Sequence, residues 1–178
     1  MQASRRNIRY GKASGLVPDY FCDTVRDIDI ELLAKHGVKY LVFDVDHTLT
    51  YYNGNEIDPK TAAYLNGHVI AGHLQGLYLA SNTLRDLSPL GADINAPSIR
   101  ASLQTRKPQK RYFAKVLATI GCQPHEVAMV GDRLINDIWG GNRSGMVTIL
   151  VKPVGPDLLF DRLILRRYFG NRYLKKQR

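Results

Sequence analysis

The sequence predicts an α/β fold, a parallel five-stranded sheet flanked by helices in a single domain. Three observations carry this. Short apolar, β-branched stretches alternate with helical patterns from residue 38 to residue 151, the signature of a parallel sheet with right-handed crossovers. The first stretch, residues 38–43, reads as a strand buried on both faces, as central strands of parallel sheets are. Polar and charged residues gather where the stretches end, at the sheet edge where such folds place ligands.

In chain order, Asp29 is a candidate N-cap for a short helix through Lys35, closed by Gly37. The strand 38–43 runs into Asp44-Val45-Asp46-His47-Thr48-Leu49-Thr50. Residues 51–56 are polar and aromatic with an Asn53-Gly54 turn signal, and should form a flap beside the two acids. Asp58-Pro59 predicts a helix start, with the helix running to about residue 73. Residues 77–80 are a second strand ending at Ser81-Asn82-Thr83. A helical pattern over 84–90 is weakened by Pro89 and Gly91, and residues 98–103 are expected as a third strand. Pro108 opens a strong amphipathic helix through Ile120, closed by Gly121. A strand at 127–130 ends in Gly131-Asp132, a helix covers 133–143, and a fifth strand covers 146–151.

At 178 residues the chain is long enough for one domain with a sizeable core. Cys22 and Cys122 are its only cysteines, which excludes a disulfide framework or a cysteine metal cluster and fits a reducing cytosol. No apolar run approaches membrane-spanning length, and the basic start of the chain has no apolar core behind it to make a secretory signal. The formal charge of +9 is unevenly spread. Residues 1–17 carry +4 and residues 157–178 carry +5, so the stretch between them is neutral. A neutral domain with basic appendages suits an anionic surface, membrane or nucleic acid; the alternative is that the basic ends only aid solubility.

Asp44 and Asp46 close the first strand, Ser81 and Asn82 the second, and Asp132 the strand at 127–130, with Asp137 five residues on and Lys107 before the preceding helix. Taken alone, Asp44 and Asp46 could be turn residues, Ser81 a strand-end cap and Lys107 a solvated charge. As a set they converge on one edge and suit phosphoryl transfer. Carboxylate oxygens attract Mg²⁺, a carboxylate can attack phosphorus, and lysine and amides can bind phosphate oxygens.

In that order D-V-D-H-T-L-T, A-S-N, K-P and G-D-R-L-I-N-D resemble the haloacid dehalogenase (HAD) phosphatase superfamily over roughly residues 18–153. R-K-P before an amphipathic helix, and G-D-R-L-I-N-D-I-W-G-G-N-R-S-G-M followed by V-T-I-L-V-K-P-V, are similar to the YqeG-type branch of subfamily IIIA, whose eukaryotic relatives dephosphorylate phosphatidylglycerophosphate. The resemblance implies a HAD-like Rossmannoid domain and a Mg²⁺ cofactor. It implies Asp44 as nucleophile, Asp46 as general acid and base, and Lys107 bridging phosphate and Asp44. It implies Ser81, Asn82 and Thr48 at the phosphate. For the metal it implies Asp44, Asp132, the backbone carbonyl of Asp46 and, directly or through a second layer, Asp137. Three positions depart from the branch pattern: His47, Arg133 and Asn136 replace residues common there, and His47 and Arg133 bear on substrate preference.

The spacing between these motifs leaves no room for a cap domain, so the site should be open and suit a large substrate. The expected function is phosphomonoester hydrolysis on a large or membrane-borne carrier, phosphatidylglycerophosphate first, by a cytoplasmic or inner-face peripheral protein with an anionic phospholipid as partner. Alternatives are a nucleic-acid-end or small-metabolite phosphatase, and a peripheral RNA- or ribosome-binding protein with a vestigial site. The expected partition is a basic segment 1–17, a phosphatase domain 18–155 and a segment 156–178 mixing apolar residues with arginines. That last segment reads equally as an interfacial helix or as a helix packed on the domain.

Overall fold

The computed structural model describes residues 15–155. The expected segment 156–178 and all but the last three residues of the expected segment 1–17 therefore lie outside the described residues. Five parallel strands form one sheet in the order β1-β5-β4-β2-β3. They are β1 (Tyr20–Cys22), β2 (Tyr40–Phe43), β3 (Gly76–Leu79), β4 (Val127–Gly131) and β5 (Val147–Val151). Among the described residues five α-helices accompany them: α1 (Ile30–Lys35), α2 (Pro59–Ile70), α3 (Ser88–Asp93), α4 (Lys110–Ile120) and α5 (Gly140–Arg143).

Alternation along β2 divides the core. Leu41 and Phe43 face a cluster that includes Leu33 of α1, Leu65 of α2 and Leu90 of α3. Val42 faces the other layer, with Met129 and with Tyr112, Phe113 and Val116 of α4. All three β2 residues are fully buried, each worth about 1.5–3 kcal/mol. After β2 the chain adds β3 on one side and then crosses to β4 on the other. The reversal puts a crevice at the carboxyl ends of β2 and β4, where the Asp44 amide donates to Val130 O at 2.8 Å.

The helix caps follow the local chemistry. Asp29 accepts from Leu32 N and Asp58 from Thr61 N, and Gly121 closes α4 at φ 75°. Several elements differ from expectation. Residues 98–103 are not a strand: Pro97 O and Ile99 N bond to Leu79, and then the chain turns back on itself through paired Ser102–Thr105 bonds. The fifth strand is instead β1, tied to β5 by Asp19, which accepts from Thr148 N at 3.0 Å. Helix α2 stops at Ile70, with Gly72 at φ 75°. Pro108 does not open α4, which starts at Lys110, three residues after Lys107. The expected 133–143 helix divides into a π-helical turn, Leu134–Trp139, and α5.

Packing explains that division. A Cβ at Gly131 would meet the Asp137 carboxylate at 2.3 Å, and one at Gly140 would meet the Phe113 ring at 2.3 Å. The wider turn carries Asp137 inward over the bare Gly131 backbone, in keeping with the occurrence of such turns at functional sites. Neither the interval between Asp44 and Ser81 nor that between Ser81 and Lys107 holds a separate domain; the first contains the flap, α2 and β3, the second α3 and connecting turns.

Candidate active site

The carboxyl edge places all eight expected residues within one neighbourhood. Asp44 stands just past the end of β2 and is 7% exposed. Lys107, 3% exposed, donates from Nζ to Asp44 Oδ1 and to Asp137 Oδ1, both at 2.7 Å. Oxygen atoms of Asp44, Asp132 and Asp137 all lie within 4.8 Å of one another. Asp137 is fully buried and also accepts the Arg133 amide at 3.1 Å. Ser81 is buried at the end of β3, and its Oγ accepts from Thr83 N at 3.3 Å, leaving its proton available to a ligand. A cavity of about 200 Å³ opens here, lined by Asp44, Asp46, Ser81, Asn82, Lys107 and Arg133 among others.

Two expected phosphate-binding side chains have other partners. Thr48 does not line the cavity; it is 2% exposed and donates to Asp132 Oδ1 at 3.2 Å, beneath the carboxylates. Asn82 lines the cavity but forms two bonds with the Lys107 backbone, donating to its O and accepting from its N. That pairing fixes the loop carrying Lys107. Of the three departures, Arg133 and Asn136 line the cavity whereas His47 does not. His47 sits at φ 63°, stacks on Tyr52 and faces Val154 O at 3.2 Å, so it braces the flap.

Arg85 was invisible as a site residue in the sequence. Its NH2 donates to Asp46 Oδ1 at 2.9 Å, and its NH1 donates to Gly54 O and Asn55 Oδ1 of the flap. Asn53 N adds a second bond to Asp46 Oδ1 at 3.0 Å. One oxygen of Asp46 is thus occupied and the other is left for the cavity. The only available signal was position, since Arg85 follows Ser81 by four residues on an edge loop.

The electrostatics are those of three acids around one base. Burial would lower the Lys107 pKa, but the Asp137 and Asp44 charges outweigh it and hold the ammonium well above the usual lysine value. Burial and the same two acids push Asp132 up to about 8. Asp137 is also raised by burial, with Lys107 opposing. The cluster carries an excess of hard-oxygen negative charge that one lysine does not balance. That donor set fits a divalent cation such as Mg²⁺, which takes carboxylate oxygens.

Comparisons agree with this geometry. The family described as "HAD-hyrolase-like" matches residues 104–153. The chain is 33% identical over 151 residues to "Phosphatidylglycerophosphate phosphatase 1, chloroplastic" of Chlamydomonas reinhardtii, spanning 81% of this chain and 55% of that protein. It is 26% identical to "Probable phosphatase YqeG" of Bacillus subtilis, over 85% of this chain and 88% of that one. It is 32% identical to the chloroplastic/mitochondrial phosphatidylglycerophosphate phosphatase 1 of Arabidopsis thaliana, over 78% of this chain and 41% of that protein. The chain therefore spans about half the length of the algal and plant relatives. An uncharacterized Listeria monocytogenes protein shares the fold, with a TM-score of 0.52 and 19% identity over 73% of this chain and 99% of that one. A parallel sheet with this acidic carboxyl edge defines a HAD-like hydrolase domain. The chain matches that family over residues 104–153 and is similar along most of its length to a YqeG-type phosphatase.

Proposed function

We propose that this protein is a Mg²⁺-dependent phosphomonoester hydrolase that works through an aspartyl-phosphate on a large or membrane-borne substrate, with phosphatidylglycerophosphate the first candidate. The observation that carries the reading is the buried trio Asp44, Asp132 and Asp137 around Lys107. The names of the algal and plant relatives support the substrate.

In this reading Lys107 holds Asp44 Oδ1 and leaves the second oxygen to attack phosphorus. The bond from phosphorus to Asp44 forms as the bond to the leaving oxygen breaks. Asp46 gives its proton to that oxygen, then takes one from the water that attacks the aspartyl-phosphate; the bond from phosphorus to Asp44 breaks, inorganic phosphate leaves, Asp44 is again a carboxylate and Asp46 again holds its proton. The Ser81 hydroxyl and Lys107 bind phosphate oxygens, and Thr48 holds Asp132 in place. A divalent cation held by Asp44, Asp132 and Asp137 would neutralise phosphate charge during transfer. Residues 18–155 form the catalytic unit in this reading, with the basic segments 1–17 and 156–178 as appendages.

A phosphate-release screen across lipid, nucleotide and sugar phosphates with added Mg²⁺ tests the reading directly. Fastest release from a phospholipid monoester is expected; release from none would overturn it. Asp46→Asn should slow turnover by about 10²–10⁴-fold, the usual worth of general acid–base help. The loss in kcat/KM should be larger for an alkyl phosphate than for an aryl phosphate with a good leaving group. Equal losses on both would remove Asp46 from the acid role.

Chelator should stop turnover and Mg²⁺ restore it, while Asp132→Ala should require far more Mg²⁺. Ca²⁺ should inhibit, because its larger, looser shell does not enforce octahedral geometry. Undiminished activity in excess EDTA would exclude the metal from the mechanism.

A further inference from the structure

Six large apolar side chains are exposed among the described residues: Tyr51, Tyr52, Ile70, Leu84, Leu103 and Ile135. Isolated exposed apolar residues are ordinary, but these are not scattered. Tyr51 and Tyr52 are on the flap, and Tyr52 lines the cavity. Leu84, 72% exposed, lies between the cavity residue Thr83 and the Asp46 partner Arg85. Leu103, 80% exposed, tips the Ser102–Thr105 turn ahead of Lys107. Ile135 sits between Arg133 and Asn136, both lining the cavity. Only Ile70 is elsewhere, at the end of α2 that leads into the start of β3, on the opposite edge.

The same edge carries cations. Arg106, Lys110 and Arg111 are exposed around the start of α4 and form no ion pair among the described residues. The first turn of α4 holds no acid, so these charges stand where the helix dipole favours anions. Exposed acids on this edge include Asp23, Glu56, Asp58 and Asp86; Asp23 is paired with Lys152 and Asp86 with Arg100. The described chain also ends on this edge. Val154 N bonds to His47 O at 2.6 Å, and a Cβ at Gly155 would lie 3.0 Å from the Tyr51 ring.

We propose that this edge is an interfacial docking face for an anionic bilayer. Tyr51, Leu84, Leu103 and Ile135 seat at the boundary of the acyl layer, and Arg106, Lys110 and Arg111 lie against lipid phosphates, so the cavity opens directly onto the headgroups. The inference rests on the reading of the substrate as membrane-borne. Apolar insertion combined with basic contacts is how interfacial surfaces hold lipid. A second copy of the chain would bring these cations against one another, and nucleic acid gains little from exposed leucines.

The test uses the full chain with vesicles of phosphatidylglycerol or phosphatidylcholine. Arg106→Gln with Lys110→Gln and Arg111→Gln should lower binding to phosphatidylglycerol vesicles by about a hundredfold in cosedimentation, and separately Leu84→Ser with Leu103→Ser by about tenfold. The deficit of the charge variant should shrink at high salt and that of the leucine variant should persist. Hydrolysis of a soluble chromogenic phosphate should be unchanged in both, and Leu103→Phe should retain vesicle binding. Wild-type partitioning by both multiple variants would overturn the proposal. So would a wild-type dimer that the variants dissolve with vesicle binding unaltered, which would make the face a contact between copies. Cosedimentation needs no turnover, so a chain that binds vesicles through this edge yet hydrolyses nothing would keep the docking face and discard the catalytic reading.

Discussion

Asp44→Asn should abolish phosphate release from every phosphomonoester tested, a loss of roughly 10⁴-fold or more on the scale of removing a covalent nucleophile. The amide keeps the shape of the carboxylate but is neutral and a poor nucleophile. It can still accept from Lys107, which retains Asp137 as its charged partner at 2.7 Å. The fold should therefore survive. The Asp44 charge is among the causes that raise Asp132, so its removal relieves a crowded site. Without metal the variant should melt at or above the wild-type temperature. Mass spectrometry of enzyme quenched with substrate should show a phosphate adduct in the wild type and none in Asp44→Asn. Near-normal turnover by the variant would reject the covalent route.

The sequence made the frame of this site legible because the strands that build it are long enough to show a pattern. Residues 38–43 are apolar enough to read as a buried strand, and Asp44 and Asp46 break that pattern where a packed interior would not. Strand β1 was not legible. It has three half-buried residues and is held by Asp19 against β5, 129 positions away in sequence. Residues 98–103 had the composition of a strand, but one bridge to Leu79 is all that the turn at Ser102 allows. Side-chain pairing was less legible still. Thr48 is committed to Asp132 and Asn82 to the Lys107 backbone, and neither pairing has a sequence signal. Arg85 needs both the β3 loop and the flap in place before its fork has partners. The π-helical turn follows from the fit of Asp137 against Gly131, which no helical periodicity encodes.

Lys107→Met should be the most destabilising single change in the site. Methionine roughly matches the stem but supplies no charge, and two buried ion pairs vanish together. Removing one partner of a buried pair costs about 3–5 kcal/mol, on the order of a 10 °C fall in Tm for a chain of this size. The cost should depend on pH in a defined direction. In the metal-free wild type Asp132 has a folded pKa of about 8 against 3.8 for the free group. Its favourable contribution is fully present below the unfolded value, because both states then hold the proton. It is lost as pH rises through 8, because folding opposes an ionisation that the unfolded chain makes freely. Without Lys107, Asp137 loses the charge that opposes its burial, so its folded pKa rises further and the same loss should extend to higher pH and cut deeper. Melting curves in EDTA should therefore show the gap between Lys107→Met and wild type widening from pH 5 to pH 9. A divalent cation should recover stability in both proteins at the alkaline end, a readout independent of turnover. A pH-independent gap, or wild-type stability of Lys107→Met at pH 8 without metal, would mean that Asp137 is not held ionised against its burial by this lysine.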